Sequence, residues 1–275
     1  MPQTINTNLT SINAQRNLAT SQSSLAISMQ RLSSGLRVNS AKDDAAGLAI
    51  AERMTSQVRG MNVAIRNAND GISMAQTAEG ALGKVGDSLQ RMRELAVQSA
   101  NASNSASDRT NLNAEYQQLN DEVTRVLTGT KFNGVDLLNT AASLSFQVGA
   151  NNVTTDQIAV STTVLTTGTG VAAVTAGGIT SDTNALAAMD DLDDAIDEIT
   201  TARATFGAVQ NRFDAVISNL QVASENQAAS RGRIMDADFA TETSNLSRGQ
   251  ILQQAGTAMV AQANQLPQGV LALLR

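Results

Sequence analysis

The sequence predicts a mainly α fold built from long helices packed as coiled coils, with a small β segment in the middle. Three observations predict it. Apolar residues recur every seven positions through residues 45–100 and again through 185–229, the spacing of coiled-coil seams. Between these stretches, SLSFQVG at 143–149 switches to alternation, which is strand spacing. Aromatic residues make up only 2% of the 275 residues, with one Tyr and no Trp. An apolar content carried by Ala, Val, Leu, Ile and Met favours long thin helices over a thick globule.

The first helix is expected over residues 4–36. Ile5, Leu9 and Ile12 sit at helical spacing, and a second register runs through Leu18, Leu25, Met29, Leu32 and Leu36. Gly35 and Asn39-Ser40 punctuate it. The adjacent acids Asp43-Asp44 then stand where the second helix should start. Ser40 followed three residues later by Asp43 resembles a capping box, and acids suit a first helical turn. Neighbouring helix positions do not converge on one ligand, so the pair reads as a joint, not as chemistry.

The second helix, 45–100, carries Met54, Met61, Ala68, Ala75, Leu82, Leu89 and Ala96 every seven residues. Val58, Ile65 and Ile72 form the companion seam, which then drifts by one residue to Ala78, Val85 and Met92, as a straight helix must against a seven-residue repeat. Gly71, Gly80, Gly83 and Gly86 each weaken this helix by about 1 kcal/mol relative to Ala, and are read as admitting a neighbouring helix. A third helix is expected at 105–128 from a Ser107-Asp108 start, with Leu112, Tyr116, Leu119, Val123 and Val126 on one face.

Leu144, Phe146 and Val148 alternate, and QIAVSTTV follows a polar turn at Asn151-Asn152. Residues 161–184, rich in Thr, Gly, Ala and Val, read as a loop or weak hairpin. Heptads then return, with Leu192, Ile199, Phe206, Phe213 and Leu220 facing Ala195, Ala202, Val209, Val216 and Ala223. A last helix at about 237–265 carries Leu252, Ala255, Met259 and Leu266 and is expected to end near Pro267 and Gly269.

Composition excludes much chemistry. There is no Cys, so no disulfide or thiolate metal site, and no His, so no imidazole ligand or neutral-pH general base. The net charge of −6, with scattered basic residues lacking aromatic neighbours, does not suit a nucleic-acid binder. No apolar run reaches the roughly 18 residues of a membrane span, and MPQTINTNLTSINAQ lacks the pattern of a Sec-type signal. MDDLDDAIDE (189–198) lacks the Gly and closing Glu of a calcium loop and reads as a solvated helix start. EGALGKVG (79–86) has the wrong spacing for a phosphate loop. No enzyme, cofactor or metal is expected.

Two features point to partners instead. In LQRMRELAVQSAN (89–101), Leu89, Met92 and Ala96 face inward and leave Gln90, Arg91, Arg93 and Glu94 outward, with Leu95 read as an exposed apolar residue beside Arg91, a composition suited to an interface. The second feature is energetic. A terminal helix with one apolar stripe gains about 1.5–3 kcal/mol per buried Leu, while each ordered residue costs about 1–2 kcal/mol of backbone entropy. About eight such anchors do not offset roughly thirty ordered residues without a partner. The ends are therefore expected to be mobile in the free monomer and to fold against neighbouring copies on assembly.

RLSSGLRVNSAKDDAAGLAI (31–50), LQRMRELAVQSAN, FNGVDLL (132–138), LSFQVGA (144–150), GAVQNRF (207–213) and SRGQILQQAGTAMVAQANQLPQGVLALLR (247–275) resemble bacterial flagellin. The resemblance covers about residues 1–150 and 185–275 and implies a short form without large outer domains. The implied fold is a long antiparallel helical coiled-coil rod with a small β-hairpin segment, its N- and C-terminal helices paired in an inner layer. The implied divisions are an inner helix and connector at 1–43, a rod at 44–233 with a β segment near 141–165 and a variable loop near 161–184, and an inner helix at 234–275. Function is implied as a self-polymerising subunit of the extracellular flagellar filament for swimming motility, exported through the flagellar type III route. The alternative is a secreted coiled-coil protein of the hook–filament junction type.

Ile5, Leu9, Ile12, Leu18 and Leu25 are expected to meet Leu252, Met259, Leu266 and Leu273 in the inner layer. Carried over from the family, Gln90, Arg91, Arg93, Glu94, Leu95 and Glu115 form a surface for host Toll-like receptor 5 and for neighbouring subunits. Further partners implied are the flagellar cap and hook-junction proteins and an export chaperone at the C-terminus, with no nucleic acid and no membrane.

Overall fold

A computed structural model describes residues 7–272, with side chains described for 7–265. In chain order the elements are helices α1 (Leu9–Ser34), α2 (Ala45–Ala100) and α3 (Ala106–Gly129), strands β1 (Lys131–Phe132), β2 (Val135–Asp136), β3 (Ser143–Gln147) and β4 (Gln157–Ser161), then helices α4 (Thr169–Ala176), α5 (Asp182–Met235) and α6 (Phe239–Ala272). The chain forms two compact units, one from the segments up to Ser56 and from Asn226 onward, the other from Gln57–Glu225. Helices α2 and α5 contribute residues to both. The mainly α class with a small antiparallel sheet is thus what the periodicities predicted.

The central unit is held by one apolar cluster. On α2 it includes Ala68, Ala75, Leu82, Leu89 and Ala96 of one seam and Ala78, Val85 and Met92 of the other. Leu192, Ile199, Phe206 and Phe213 come from α5, and Tyr116, Val123 and Leu127 from α3. Each fully buried large side chain contributes about 1.5–3 kcal/mol. The Phe213 ring lies against α2 at Gly71, where a Cβ would come within 2.6 Å of it. Its ring also meets Phe146 edge-on, with centroids 5.5 Å apart and planes at 80°, a favoured aromatic geometry. Gly80, Gly83 and Gly86 do not seat a neighbouring helix as expected, because nothing lies within 4 Å of the Cβ each would carry.

Strands β3 and β4 pair antiparallel from Ser143 opposite Ser161 to Gln147 opposite Gln157, and β4 turns Ile158 and Val160 into the cluster. A smaller hairpin precedes them. Phe132 pairs with Val135 across Asn133 (φ 48°) and Gly134 (φ 82°). Asn-Gly is the favoured pair for a two-residue turn with both φ positive, so FNGV carries a hairpin signal in its turn residues that does not depend on period-two alternation.

Residues 161–184 are not the loose segment that their composition suggested. They contain α4, and Leu165, Val171, Val174 and Ile179 are buried in the cluster. Side chains of α3 hold this backbone: Asn120 Nδ2 donates to Thr175 O at 3.1 Å, Gln117 Nε2 donates to Gly177 O at 3.0 Å, and Ile179 N–H donates to Asn113 Oδ1 at 2.9 Å. Gly170 lies against α5, where a Cβ would collide with backbone at Asp194 and Ala195. Small residues here serve close packing, and composition alone cannot distinguish that from a flexible loop.

Helix starts also moved. Ser105, not Ser107-Asp108, opens α3: its Oγ accepts from Asp108 N–H at 3.2 Å, while Asp108 Oδ2 accepts from Ser105 N–H at 3.0 Å. These are the reciprocal bonds of a capping box; the Ser105 hydroxyl, which donates to Asp108 Oδ2 at 2.7 Å, and then the Ser105 N–H hold the Asp108 pKa below its ordinary value. The acidic run 189–198 is not a helix start, since α5 begins at Asp182 behind Ser181, whose Oγ accepts from Asn184 N–H at 3.2 Å.

In the terminal unit, α1 ends at Gly35 (φ 70°), whose N–H donates to Arg31 O at 2.8 Å, the usual left-handed stop. The connector then joins the segment before α6: Arg37 N–H donates to Met235 O at 2.6 Å and Ala237 N–H to Gly35 O at 2.9 Å. Asp43 Oδ2 accepts from the N–H groups of Asn39 and Ser40 at 3.1 and 2.9 Å and from Ser40 Oγ at 3.1 Å. The two backbone bonds lead in holding its pKa down. The cap of α2 is instead Asp44, whose Oδ1 accepts from Gly47 N–H at 2.8 Å. One acid closes the turn and the other starts the helix. Helix α6 continues to Ala272, past the expected stop at Pro267 and Gly269. An interior proline removes one hydrogen bond at a cost of about 3 kcal/mol, which kinks or weakens a helix without always ending it.

Candidate self-assembly interface

The terminal helices pair antiparallel. Near one end Asn8 Nδ2 donates to Ala263 O at 2.7 Å, and Ser11 Oγ donates to Asn264 Oδ1 at 2.7 Å. Further along, Leu18 packs on Gly256 and Leu25 on Gly249. Near the other end Arg31 Nη1 donates to Glu242 Oε1 at 3.1 Å. Glu242, Gly249, Gly256 and Ala263 recur every seven residues along α6, and Ser11, Leu18 and Leu25 do so along α1. This is a coiled-coil seam made largely of small and polar residues.

Glu242 is only 6% exposed. Burial pushes its carboxyl pKa up, but bonds from Arg31, Ser28 and Asn245 and the charge of Arg31 outweigh that and leave it lowered. Its Oε2 and Arg31 Nε are buried without hydrogen-bond partners. The seam therefore contains a partly buried ion pair where an apolar core would hold leucines, and the cost of burying such a pair offsets much of its attraction.

Apart from Leu18 and Leu25, many large apolar side chains of the two helices lie outside that seam. Leu9 is 67% exposed, Ile12 55%, Leu252 48% and Met259 64%. Ile27, Met29, Phe239 and Ile251 are also exposed. Of the residues expected to meet, the structure seats Leu18 and Leu25 against α6 and leaves Leu9, Ile12, Leu252 and Met259 facing solvent. Ile5 and Leu273 lie outside the described residues, as does the side chain of Leu266. A shallow depression of about 560 Å³ runs along α6 between Thr243, Ser244, Ser247, Arg248, Ile251 and Leu252. Ile251 and Phe239, like Leu252 and Met259, stand off the Glu242–Gly249–Gly256–Ala263 seam and are exposed.

The second predicted surface lies on α2 and its neighbours. Arg91 Nη1 donates to Glu94 Oε2 at 2.8 Å, and its Nε and Nη2 donate to Glu115 Oε1 at 3.1 and 2.9 Å. Glu94 first, then Glu115, raises the Arg91 pKa. Arg93 makes a two-pronged bond to Asp193 of α5 at 2.6 and 3.0 Å, a partner that the sequence did not suggest. Gln90, Arg91, Arg93, Glu94 and Glu115 are all exposed. Leu95 is not: it is 1% exposed and belongs to the core. The expectation of an exposed Leu95 fails because α2 is covered on more than two seams where α3 and α5 join it. The exposed apolar neighbour is Val97, which lines a depression of about 330 Å³ with Gln90, Arg93 and Glu94.

Among the described residues no group of three or more His, Cys, Asp or Glu could hold a metal ion, and no helix is long and apolar enough to cross a membrane. The acidic run of α5 spreads around a helix, with Asp193 committed to Arg93.

Residues 5–143 match the family model described as the bacterial flagellin N-terminal helical region, and residues 189–274 the one described as the bacterial flagellin C-terminal helical region. The flagellin of Halalkalibacterium halodurans is 47% identical over 98% of this chain and 99% of its own length. The flagellar filament 33 kDa core protein of Treponema phagedenis is 43% identical over 98% and 99%. The crystal structure of Bacillus cereus flagellin superposes with a TM-score of 0.51 at 32% identity, covering 60% of this chain and 94% of that one. A putative flagellar hook-associated protein from Vibrio parahaemolyticus shares the fold, with a TM-score of 0.60 at 14% identity over 70% of this chain and 100% of that one.

Proposed function

Because the chain belongs to the bacterial flagellin family and is a structural subunit of the flagellar filament, we propose that its polymerisation is driven by the outward apolar faces of α1 and α6. The observation that carries this is the inverted pairing of the two helices: apart from Leu18 and Leu25, the residues named in their seam are small or polar, while Leu9, Ile12, Ile251, Leu252 and Met259 face solvent. A second copy of the same faces can cover them, and repeated head-to-tail contacts that do not close produce an open helical polymer. Segments 1–43 and 234–275 then form the inner layer, with Ile5, Leu266 and Leu273 extending its apolar contacts, and 44–233 forms the layer outside it. Removing the last twenty residues should leave a helical monomer that never polymerises; sedimentation and electron microscopy read this directly. Filaments from that truncation would refute the assignment.

The chain is read as secreted through the flagellar type III route, with an export chaperone on the C-terminal helix before assembly and the cap and hook-junction proteins as neighbours afterwards. The open depression on α6 suits such an occupant. The exposed Arg91–Glu94–Glu115 cluster with Gln90, Arg93 and Val97 supports recognition of the monomer by host Toll-like receptor 5, with Leu95 acting beneath the surface. Arg91→Ala should weaken receptor activation by the monomer in a reporter-cell assay while leaving its helical content unchanged. Unchanged activation removes this surface as the epitope.

A further inference from the structure

Sulfur is confined to methionine in this chain: there are nine Met and no Cys. The other readily oxidised side-chain types are absent or covered, with no His or Trp and a single fully buried Tyr116. Methionine accessibility divides sharply along the chain. Met61, Met74 and Met92 are buried, and Met54, Met189 and Met235 are partly covered. Among the described residues only Met29 and Met259 are exposed, at 56% and 64%. Both stand on the terminal helices and away from the α1–α6 seam.

We propose that Met29 and Met259 are oxygen-accepting modification sites for peroxides, and that their sulfoxides block assembly of the monomer. This rests on the reading that copies of the chain cover these faces. In the step, the thioether sulfur attacks the peroxide O–O bond and gives up an electron pair to one oxygen. The sulfur becomes a sulfoxide and the other peroxide oxygen leaves as water, or as the alcohol of an organic peroxide. The change converts a flexible apolar side chain into a polar one, and an S=O group buried in an apolar contact without a partner is disfavoured. Covered by neighbours in the polymer, the same residues are protected. Oxidant sensitivity is therefore a property of the unassembled chain and is reversible by methionine sulfoxide reductases.

The test uses full-length monomer and hydrogen peroxide. Peptide mass spectrometry should find Met29 and Met259 oxidised about tenfold faster than Met74 and Met92, following their exposure. The concentration needed for polymerisation should rise about tenfold or more as these two sites fill. Treatment with reductases of both epimer specificities should restore it, and preformed filaments should keep both residues reduced. The double variant Met29→Leu, Met259→Leu should assemble normally and ignore peroxide.

Equal oxidation of buried and exposed methionines overturns the proposal. So does normal assembly of protein fully oxidised at Met29 and Met259, or peroxide sensitivity retained by the Leu variant. Untreated Met29→Gln, Met259→Gln separates this inference from the one beneath it. If that variant polymerises normally, these faces are not covered in the filament and the assembly reading fails there. If it does not polymerise but oxidised wild-type protein does, only the oxidation proposal fails.

Discussion

The two units use long helices in opposite ways. In the central unit, α2, α3, α4, α5 and the β3–β4 hairpin turn Leu, Phe, Met and Val inward and leave charge outside. In the terminal unit, α1 and α6 turn Ser, Gly, Ala, an Arg31–Glu242 pair and the two leucines Leu18 and Leu25 inward, and leave Leu9, Ile12, Ile251, Leu252 and Met259 outside. The first arrangement encloses its own apolar surface. The second leaves Leu9, Ile12, Ile251, Leu252 and Met259 exposed within one copy, so the same helical repeat produces a self-sufficient core in one place and, on the proposed reading, an adhesive surface in the other. Small seam residues let α1 and α6 approach closely, and the heptad then organises contact without supplying much burial.

The largest test of this contrast is Phe213→Ala. Deleting a ring packed on Gly71 and Phe146 should destabilise the central unit by about 3–5 kcal/mol, seen as a lower midpoint in chemical denaturation. Leu252→Asp should instead leave the monomer's stability within about 0.5 kcal/mol and abolish polymerisation. If Leu252→Asp unfolds the monomer, the contrast between the units breaks.

Next in size is Gly170→Val. A side chain there meets α5 backbone, which cannot move aside as a side chain can, and should cost about 1–3 kcal/mol. Gly256→Ala meets only the end of Leu18, at 2.9 Å, and gains up to about 1 kcal/mol of helix propensity. Thermal melts of the two variants should therefore move in opposite directions.

A smaller effect is acid sensitivity of the α1–α6 pair. Despite burial, the Arg31, Ser28 and Asn245 bonds hold the Glu242 pKa below its ordinary 4.5. Its ionised form adds stability above the unfolded pKa, and that stability is lost as pH falls through the folded one. The amide-exchange protection of α1, corrected for the intrinsic rate at each pH, should drop as pH falls below about 4.5, and Glu242→Gln should flatten that dependence. An unchanged profile in the variant removes Glu242 as the cause.

The smallest change expected is from Tyr116→Phe. The Tyr116 hydroxyl is buried without a partner, and burial first, then the charge of Asp191, pushes its pKa up to about 12. Removing the hydroxyl should cost nothing and should stabilise the fold by at most about 1 kcal/mol. A clear loss of stability would mean the hydroxyl has an essential partner.

What was legible in the sequence follows from periodicity and from local chemistry. The spacings of Leu82, Leu89 and Ala96 and of Leu192, Ile199, Phe206 and Phe213 determined helices and their buried faces, because 3.6 residues per turn place those positions on one side. Leu144 and Phe146 likewise marked a strand. The joint at Asp43-Asp44 was legible as architecture, although its two acids divide the work between a turn and a cap. Tertiary structure alone decided the rest. Leu95 became core because α2 acquired neighbours on an additional face, and period alone does not count neighbours. Residues 169–176 became a buried helix because α3 supplies Asn113, Gln117 and Asn120 to their backbone and Gly170 lets α5 approach. Which face of α1 meets α6 was likewise settled by fit, since Gly249 and Gly256 admit Leu25 and Leu18, and that choice put the remaining apolar residues on the outside.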